Sequence, residues 1–492
     1  MLFNSYAFLL AFLPLALLLY HGLRLRGCAR ASIFALTLLS LLYYAWWNPL
    51  YLPLMVTLIL ANFGLARLVL PRAGRAQRAA RAWLCVGVAG NLAVLAWFKY
   101  ANFFVANANA LFGLDLYLAE IILPLGISFF IFQKIAFLVD AHRGKIERLD
   151  LLDFSLFVTF FPQLIAGPIV HHSEVLPQFR SSDGVNSRTL AMALTIFVIG
   201  LAKKVLLADP LAQFAAPAFD AAAAGAHPDF LAAWSSALAY TAQLYFDFSG
   251  YSDMAIGAAL LFGIRLPINF ASPYKAASII DFWRRWHISL SRFLRDYLYV
   301  ALGGNRHGGL RRYFNLMLTM LLGGLWHGAG WTYVIWGALH GALLAANHAW
   351  RALRARWLAA EPGGFERDCG RVLTFLAVVA GWVFFRAADP HSAMALLAGM
   401  CGMNGLAGSA AGPLEGLALA TALLLVAWLA PNTQELTGYT APSGAHTRFD
   451  PAPQVARALW QPNLGWSLAL GAVFGSALLS LSRVSEFLYF QF

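Results

Sequence analysis

Residues 278–341 read SIIDFWRRWHISLSRFLRDYLYVALGGNRHGGLRRYFNLMLTMLLGGLWHGAGWTYVIWGALHG. This stretch mixes Trp, Arg and His more densely than any other part of the chain. Nearly everything on either side is apolar, in runs long enough to cross a bilayer. A polar centre inside such a chain needs a reason, and His287 and His327 are the two residues it singles out.

The chain of 492 residues is 60% hydrophobic and 12% charged, with a mean hydropathy of +0.65. A soluble domain carries roughly a quarter charged residues. A transmembrane helix needs about 20 apolar residues, and the sequence supplies such runs repeatedly. The composition therefore predicts an all-α fold, a polytopic transmembrane helical bundle. Nothing resembles the alternating ten-residue strands of an outer-membrane barrel. The formal charge of +12 sits in short loops, as the positive-inside rule expects, and no basic domain stands clear of the membrane to bind nucleic acid. The four cysteines, Cys28, Cys85, Cys369 and Cys401, show no metal or disulfide spacing.

Working outward along the chain, candidate spans fall at residues 5–20, 31–47, 51–69, 82–98, 121–139, 189–207 and 230–248 before the central stretch, and at 313–326, 332–350, 372–385, 416–429 and 464–481 within and beyond it. By the length criterion the total is roughly eleven full spans plus one or two partial ones. Arg24, Arg26 and Arg30 follow the first run without a basic segment before it, which predicts an uncleaved span with its N-terminus outside the cytoplasm. The loops at 71–81 and 140–148 carry the basic clusters expected of the cytoplasmic face. Residues 154–170 end in FFPQLIAGPIV, where Pro162, Gly167 and Pro168 predict a broken or re-entrant segment lining a cavity. Residues 215–229 read as an Ala-rich connection. Asp247 and Asp253 flank an aromatic-glycine turn at the end of the 230–248 span. Residues 281–299 read as one amphipathic, non-spanning helix, with Phe282, Trp286, Leu290, Phe293 and Tyr297 on one face and Asp281/Arg285 and Arg292/Asp296 as i,i+4 pairs.

An ionisable residue at membrane depth is expensive and is by default a functional candidate. His327, in LWHG between two apolar stretches, fits that description. A neutral imidazole there suits general-base work, and the alternative is a core histidine tying helices together. His287 lies among Trp and Arg, where an interface role competes with chemistry. His340 shares a helical face with Tyr333 and Trp336, so packing is its favoured role. His171 and His172 are adjacent without H-x-x-x-H or carboxylate partners, and no metal is expected. Asp247 and Asp253 suit either a proton path or a structural bend. No nucleophile elbow, Walker loop or dinucleotide fingerprint is present.

With these residues laid out, the chain resembles the membrane-bound O-acyltransferase superfamily, in its bacterial polysaccharide (alginate-type) O-acetyltransferase branch. The resemblance rests on LPLGISFFIFQ at 123–133, FFPQLIAGPIVH at 160–171, YFDFSGYSDMAIG at 245–257, DFWRRWHISLSRFLRDYLYVALGGNR at 281–306, LLGGLWHGAGWTYVIWGALHG at 321–341 and the tail SEFLYFQF at 485–492. It implies one acyltransferase domain over residues 1–492, with its motif core at 123–341, and a helical bundle holding a central funnel or tunnel. It makes His327 the leading catalytic residue and His287 the second, upstream polar position. It further implies a bacterial inner-membrane protein that binds no resident cofactor and uses acetyl-CoA as donor. The implied acceptor is an exported polysaccharide such as alginate, or a periplasmic acyltransferase partner; cellulose and peptidoglycan are alternatives. The competing class is a proton-coupled transporter, which broken helices and intramembrane acids also suit.

Overall fold

The computed structural model describes residues 2–71, 77–181, 184–306, 308–357, 363–406, 412–442, 459–482 and 488. Every regular element among these is helical. Among the described residues, six helices are long and apolar enough to span a membrane: Phe8–Leu25, Pro49–Val69, Gln77–Phe112, Ser187–Ala223, Gly364–Arg386 and Gly412–Leu429. Two shorter apolar helices, Ala29–Ala45 and Leu464–Ser480, join them. Large side chains such as Leu18, Leu111, Leu429 and Leu479 point outward from these helices. In water such exposure is costly, but against lipid tails it costs nothing, and backbone groups are satisfied within each helix.

The chain forms two compact units. The first comprises Met1–Val198, Tyr251–Pro267 and Thr440–His446. Its helices Leu52–Val69 and Gln77–Leu95 are tied by a reciprocal amide pair, in which each of Asn62 and Asn91 donates to the other's Oδ1 at 3.2 and 2.7 Å. Such pairs hold helices together where no hydrophobic effect separates helix from lipid. The expected break after residue 154 is present: helix Leu151–Thr159 ends at Phe160, and a single turn, Phe161–Leu164, follows. Gln163 Nε2 donates to the Phe157 carbonyl at 2.6 Å, so one group freed by the break is satisfied from within. Gly126, at φ +67°, packs on this segment, and a Cβ there would sit 2.8 Å from the Leu164 carbonyl oxygen. The helix expected at 121–139 therefore begins only at Ile127, because Pro124 and the left-handed Gly126 set its start.

The second unit comprises Ile199–Gly250, Ile268–Tyr439 and Thr447–Phe492. Three expectations are corrected around it. Residues 215–229 are not a plain connection, since Ala212–Ala223 is helical; alanine is the strongest helix former. Residues 230–248 do not end at an aromatic-glycine turn, because one helix runs from Phe230 to Leu261 and absorbs 254–261 as well. Gly250 serves close approach rather than a turn: a Cβ there would lie 2.7 Å from the Gly200 carbonyl oxygen. Residues 281–299 are not one helix. Helix Ile279–Arg285 stops, Trp286 is extended, His287 is left-handed at φ +43°, and the chain resumes as Ile288–Phe293 and the π-helical Leu294–Tyr299. Arg285 Nε bonds Asp281 Oδ1 at 2.9 Å as expected, whereas Asp296 takes Arg295 at 2.7 Å. Pro390–Met400 is also helical, capped by Asp389. Part of the loop at 71–81, and all of the tail at 485–492 except Leu488, lie outside the described residues.

Candidate active site

Both histidines lie in the second unit and are brought close to one tryptophan. His327 is the last residue of helix Gly308–His327, and helix Trp331–Trp357 returns from it after a three-residue turn. Three rings surround its imidazole: Trp326 at 4.9 Å, Trp336 at 5.1 Å and Phe385 at 5.1 Å between centroids. His327 is 7% exposed and His287 is fully buried. His287 meets Phe248 edge-on at 4.8 Å and the Trp326 ring at 6.3 Å. Trp326 is thus the neighbour the two histidines share. The sequence alone does not reveal this, because 40 positions separate them.

Glycines set how closely the two helices around His327 approach. A Cβ on Gly324 would fall well inside contact distance of the Tyr333 carbonyl oxygen, and one on Gly337 would strike that of Met320. Small residues at helix crossings let backbones meet in this way. Gly337→Ala is expected to push the helices apart, at about 1–3 kcal/mol for overpacking. A lower thermal midpoint in detergent, together with reduced activity, is the measurement that checks it.

His340 is buried in packing, as expected. Trp283 Nε1 donates to its Nδ1 at 3.3 Å, and Trp336 lies 4.8 Å away. In the first unit His172 faces Asp140 at 3.4 Å. Asp247 neither turns the chain nor stands alone: Lys204 Nζ lies 2.6 Å from its Oδ1 and 2.7 Å from Asp209 Oδ1. Both Lys204 and Asp247 are 1% exposed. Lys204 sits on the π-helical turn Lys203–Ala208, and Asp209 opens the next turn. The ion pairs therefore fasten an irregular backbone to the long helix. No group of three or more metal-ligating side chains occurs among the described residues.

A cavity of about 560 Å³ opens beside the broken helix. Arg284, Arg292, Arg295, Arg312 and His348 are on its wall, and Trp283 adds an aromatic face. It reaches Ile288 and Ser291, just after His287, and Thr319 and Met320 on the helix that ends at His327. Arg312 contacts His348 on this wall. Sequence reasoning missed this basic wall, since its residues are scattered over five helical segments and read singly as loop or interface charges. It also missed Asn269 and Ser289, whose side chains bond at the His287 break.

The helix pair closed by Gly324 and Gly337 thus presents a ring-enclosed histidine, with a second buried histidine at a helix break. Residues 92–385 match the family described as MBOAT, membrane-bound O-acyltransferase family. The chain is 45% identical over 436 residues to the peptidoglycan O-acetyltransferase of Helicobacter pylori, covering 82% of this chain and 81% of that protein. It is 42% identical over 506 residues to the Pseudomonas putida protein named "Probable alginate O-acetylase AlgI", covering all of both. A more distant relative, the teichoic acid D-alanyltransferase of Streptococcus thermophilus, is 30% identical over 46% of this chain and 57% of its own length. The protein belongs to the membrane-bound O-acyltransferase family and is a multi-pass membrane enzyme of acyl transfer.

Proposed function

We propose that the enzyme, acting as one domain over residues 1–492, passes acetyl groups from a cytoplasmic thioester, acetyl-CoA, across the bacterial inner membrane for O-acetylation of an exported polysaccharide. The leading acceptor is alginate, because the likeness to the Pseudomonas putida protein runs the full length of both chains. The Helicobacter pylori relative makes peptidoglycan the second acceptor class. The hydroxyl acetylated here belongs to the polysaccharide or to a periplasmic acyltransferase partner that completes delivery.

The observation that carries this reading is the placement of His327, enclosed by rings and sharing Trp326 with His287. In the reaction the His327 imidazole takes the hydroxyl proton while the oxygen attacks the thioester carbonyl carbon. The tetrahedral adduct collapses, the C–S bond breaks, and the proton passes to the departing thiolate. An ester and a free thiol result. His287 orients His327 or the hydroxyl, and enclosure by aromatic rings keeps water from competing.

The arginine-lined cavity supports a donor rich in phosphate, as CoA is, because the guanidinium fork matches phosphate oxygens. Arg312→Ala is expected to raise the donor KM about tenfold or more with kcat little changed, since each tenfold is about 1.4 kcal/mol of lost binding. Steady-state transfer at varied acetyl-CoA checks it. The test of the whole reading is transfer from radiolabelled acetyl-CoA in membranes carrying wild type, His327→Ala or His287→Ala at matched expression. Label reaching polysaccharide or partner in wild type and lost in His327→Ala upholds the reading; equal labelling in all three removes it.

A further inference from the structure

The break at His287 is held from outside its own helix. Ala271 N–H donates to the Arg285 carbonyl at 3.0 Å, and Ile288 N–H donates to the Asn269 carbonyl at 3.0 Å. Arg285 Nη1 closes the same bridge on the Ala271 carbonyl at 3.2 Å. The segment before the helix thus runs alongside the break and takes up the backbone groups the break frees.

The Asn269 side chain then meets His287. Its Oδ1 accepts from Ser289 N–H at 3.3 Å and from the Ser289 hydroxyl at 2.8 Å. A backbone N–H is only ever a donor, so the amide face turned to Ser289 is its oxygen and not its nitrogen. His287 Nδ1 lies 3.1 Å from that same oxygen. Two lone-pair atoms at that distance repel, so Nδ1 brings the hydrogen. In a neutral imidazole the other nitrogen, Nε2, then carries the lone pair. Asn269 is 1% exposed and His287 is fully buried, which leaves no bulk water to restore a lost partner.

We infer that Asn269 is a positioning residue of the acyl-transfer site, whose carboxamide oxygen fixes His287 as the Nδ1–H tautomer and presents its Nε2 as an acceptor. The inference rests on the proposed role of His287 in the reaction and narrows it. A neutral His287 held this way has no hydrogen on Nε2 to give to an oxyanion. It can only accept, from the attacking hydroxyl or from an N–H of His327. Any oxyanion stabilisation comes from other donors.

The test uses the full-length protein in nanodiscs with 15N-labelled histidine, the His287 signals being those that vanish in His287→Gln. Wild type is expected to show a protonated Nδ1 and a bare Nε2. Asn269→Leu, of the same branched shape but without an acceptor, is expected to lose that signature and to lower kcat about 10–100-fold, with donor KM within about twofold. Asn269→Asp, which keeps an acceptor oxygen, is expected to retain the signature and recover most of kcat. Ser289→Ala is expected to leave the tautomer unchanged. A bare Nδ1 in wild type overturns the inference, even if Asn269→Leu proves too unstable to study. So does wild-type kcat in a folded Asn269→Leu. Neither outcome touches His327, whose role stands or falls on His327→Ala.

Discussion

Membranes carrying His327→Ala are expected to transfer label from acetyl-CoA at about 10²–10⁴-fold below wild type, the span a positioned general base supplies. At 1.36 kcal/mol per decade, that is about 3–5 kcal/mol of barrier. The protein itself should accumulate normally. His327 ends its helix, and the close fit of that helix to its neighbour is made by Gly324 and Gly337 rather than by the imidazole. Truncation to Ala leaves a gap between Trp326, Trp336 and Phe385, which is a local loss of packing. His327→Gln retains bulk and hydrogen bonding but has no basic nitrogen, so it should be as inactive as Ala while better folded. Activity in His327→Gln approaching wild type would overturn the proton-transfer role.

The second large effect concerns stability. Lys204→Met is expected to leave Asp247 buried without its cation, which costs about 3–5 kcal/mol when one partner of a buried pair is removed. The midpoint of thermal unfolding in detergent should fall by roughly 5–10 °C. Asp247→Asn should be milder, because Lys204 keeps Asp209 at 2.7 Å. This pair of variants also separates enzyme from transporter. If Asp247 serves only to fasten the turn at 203–211, Asp247→Asn retains acetyl transfer once folded. A proton-coupled flux present in wild type and lost in folded Asp247→Asn would instead favour transport.

Six of the apolar runs were legible as helices long and apolar enough to span a membrane, because bilayer solvation imposes the same demand on every crossing: a long apolar run. The broken segment near Pro162 was legible for a similar reason, since proline removes a donor wherever it stands. The break at His287 was not. Phe282, Trp286, Leu290, Phe293 and Tyr297 repeat at helical spacing straight through it, and the local pattern asks for one helix. What overrides the pattern is bonding from Asn269 and Ala271, residues outside that helix. The aromatic-glycine run at 245–251 misled in the opposite direction. Its glycine looked like a bend but marks a place where another backbone comes close. His327 was legible as a candidate because a histidine between apolar stretches is conspicuous. Its aromatic enclosure, in contrast, needed Phe385 from a distant helix.

The left-handed backbone at position 287 leads to one more expectation. Few side chains other than glycine tolerate φ near +43°, with Asn, Asp and His among the more accommodating. A saturation library at this codon, sorted once for abundance and once for acetyl transfer, should therefore return two different survivor sets. Gly and Asn should join His in the abundance pool, and the β-branched residues should drop out of it, as should Asp, whose charge would be buried without a cation. The activity pool should shrink to His. The difference between the two lists would separate the demand of the backbone from the demand of the chemistry at a single position.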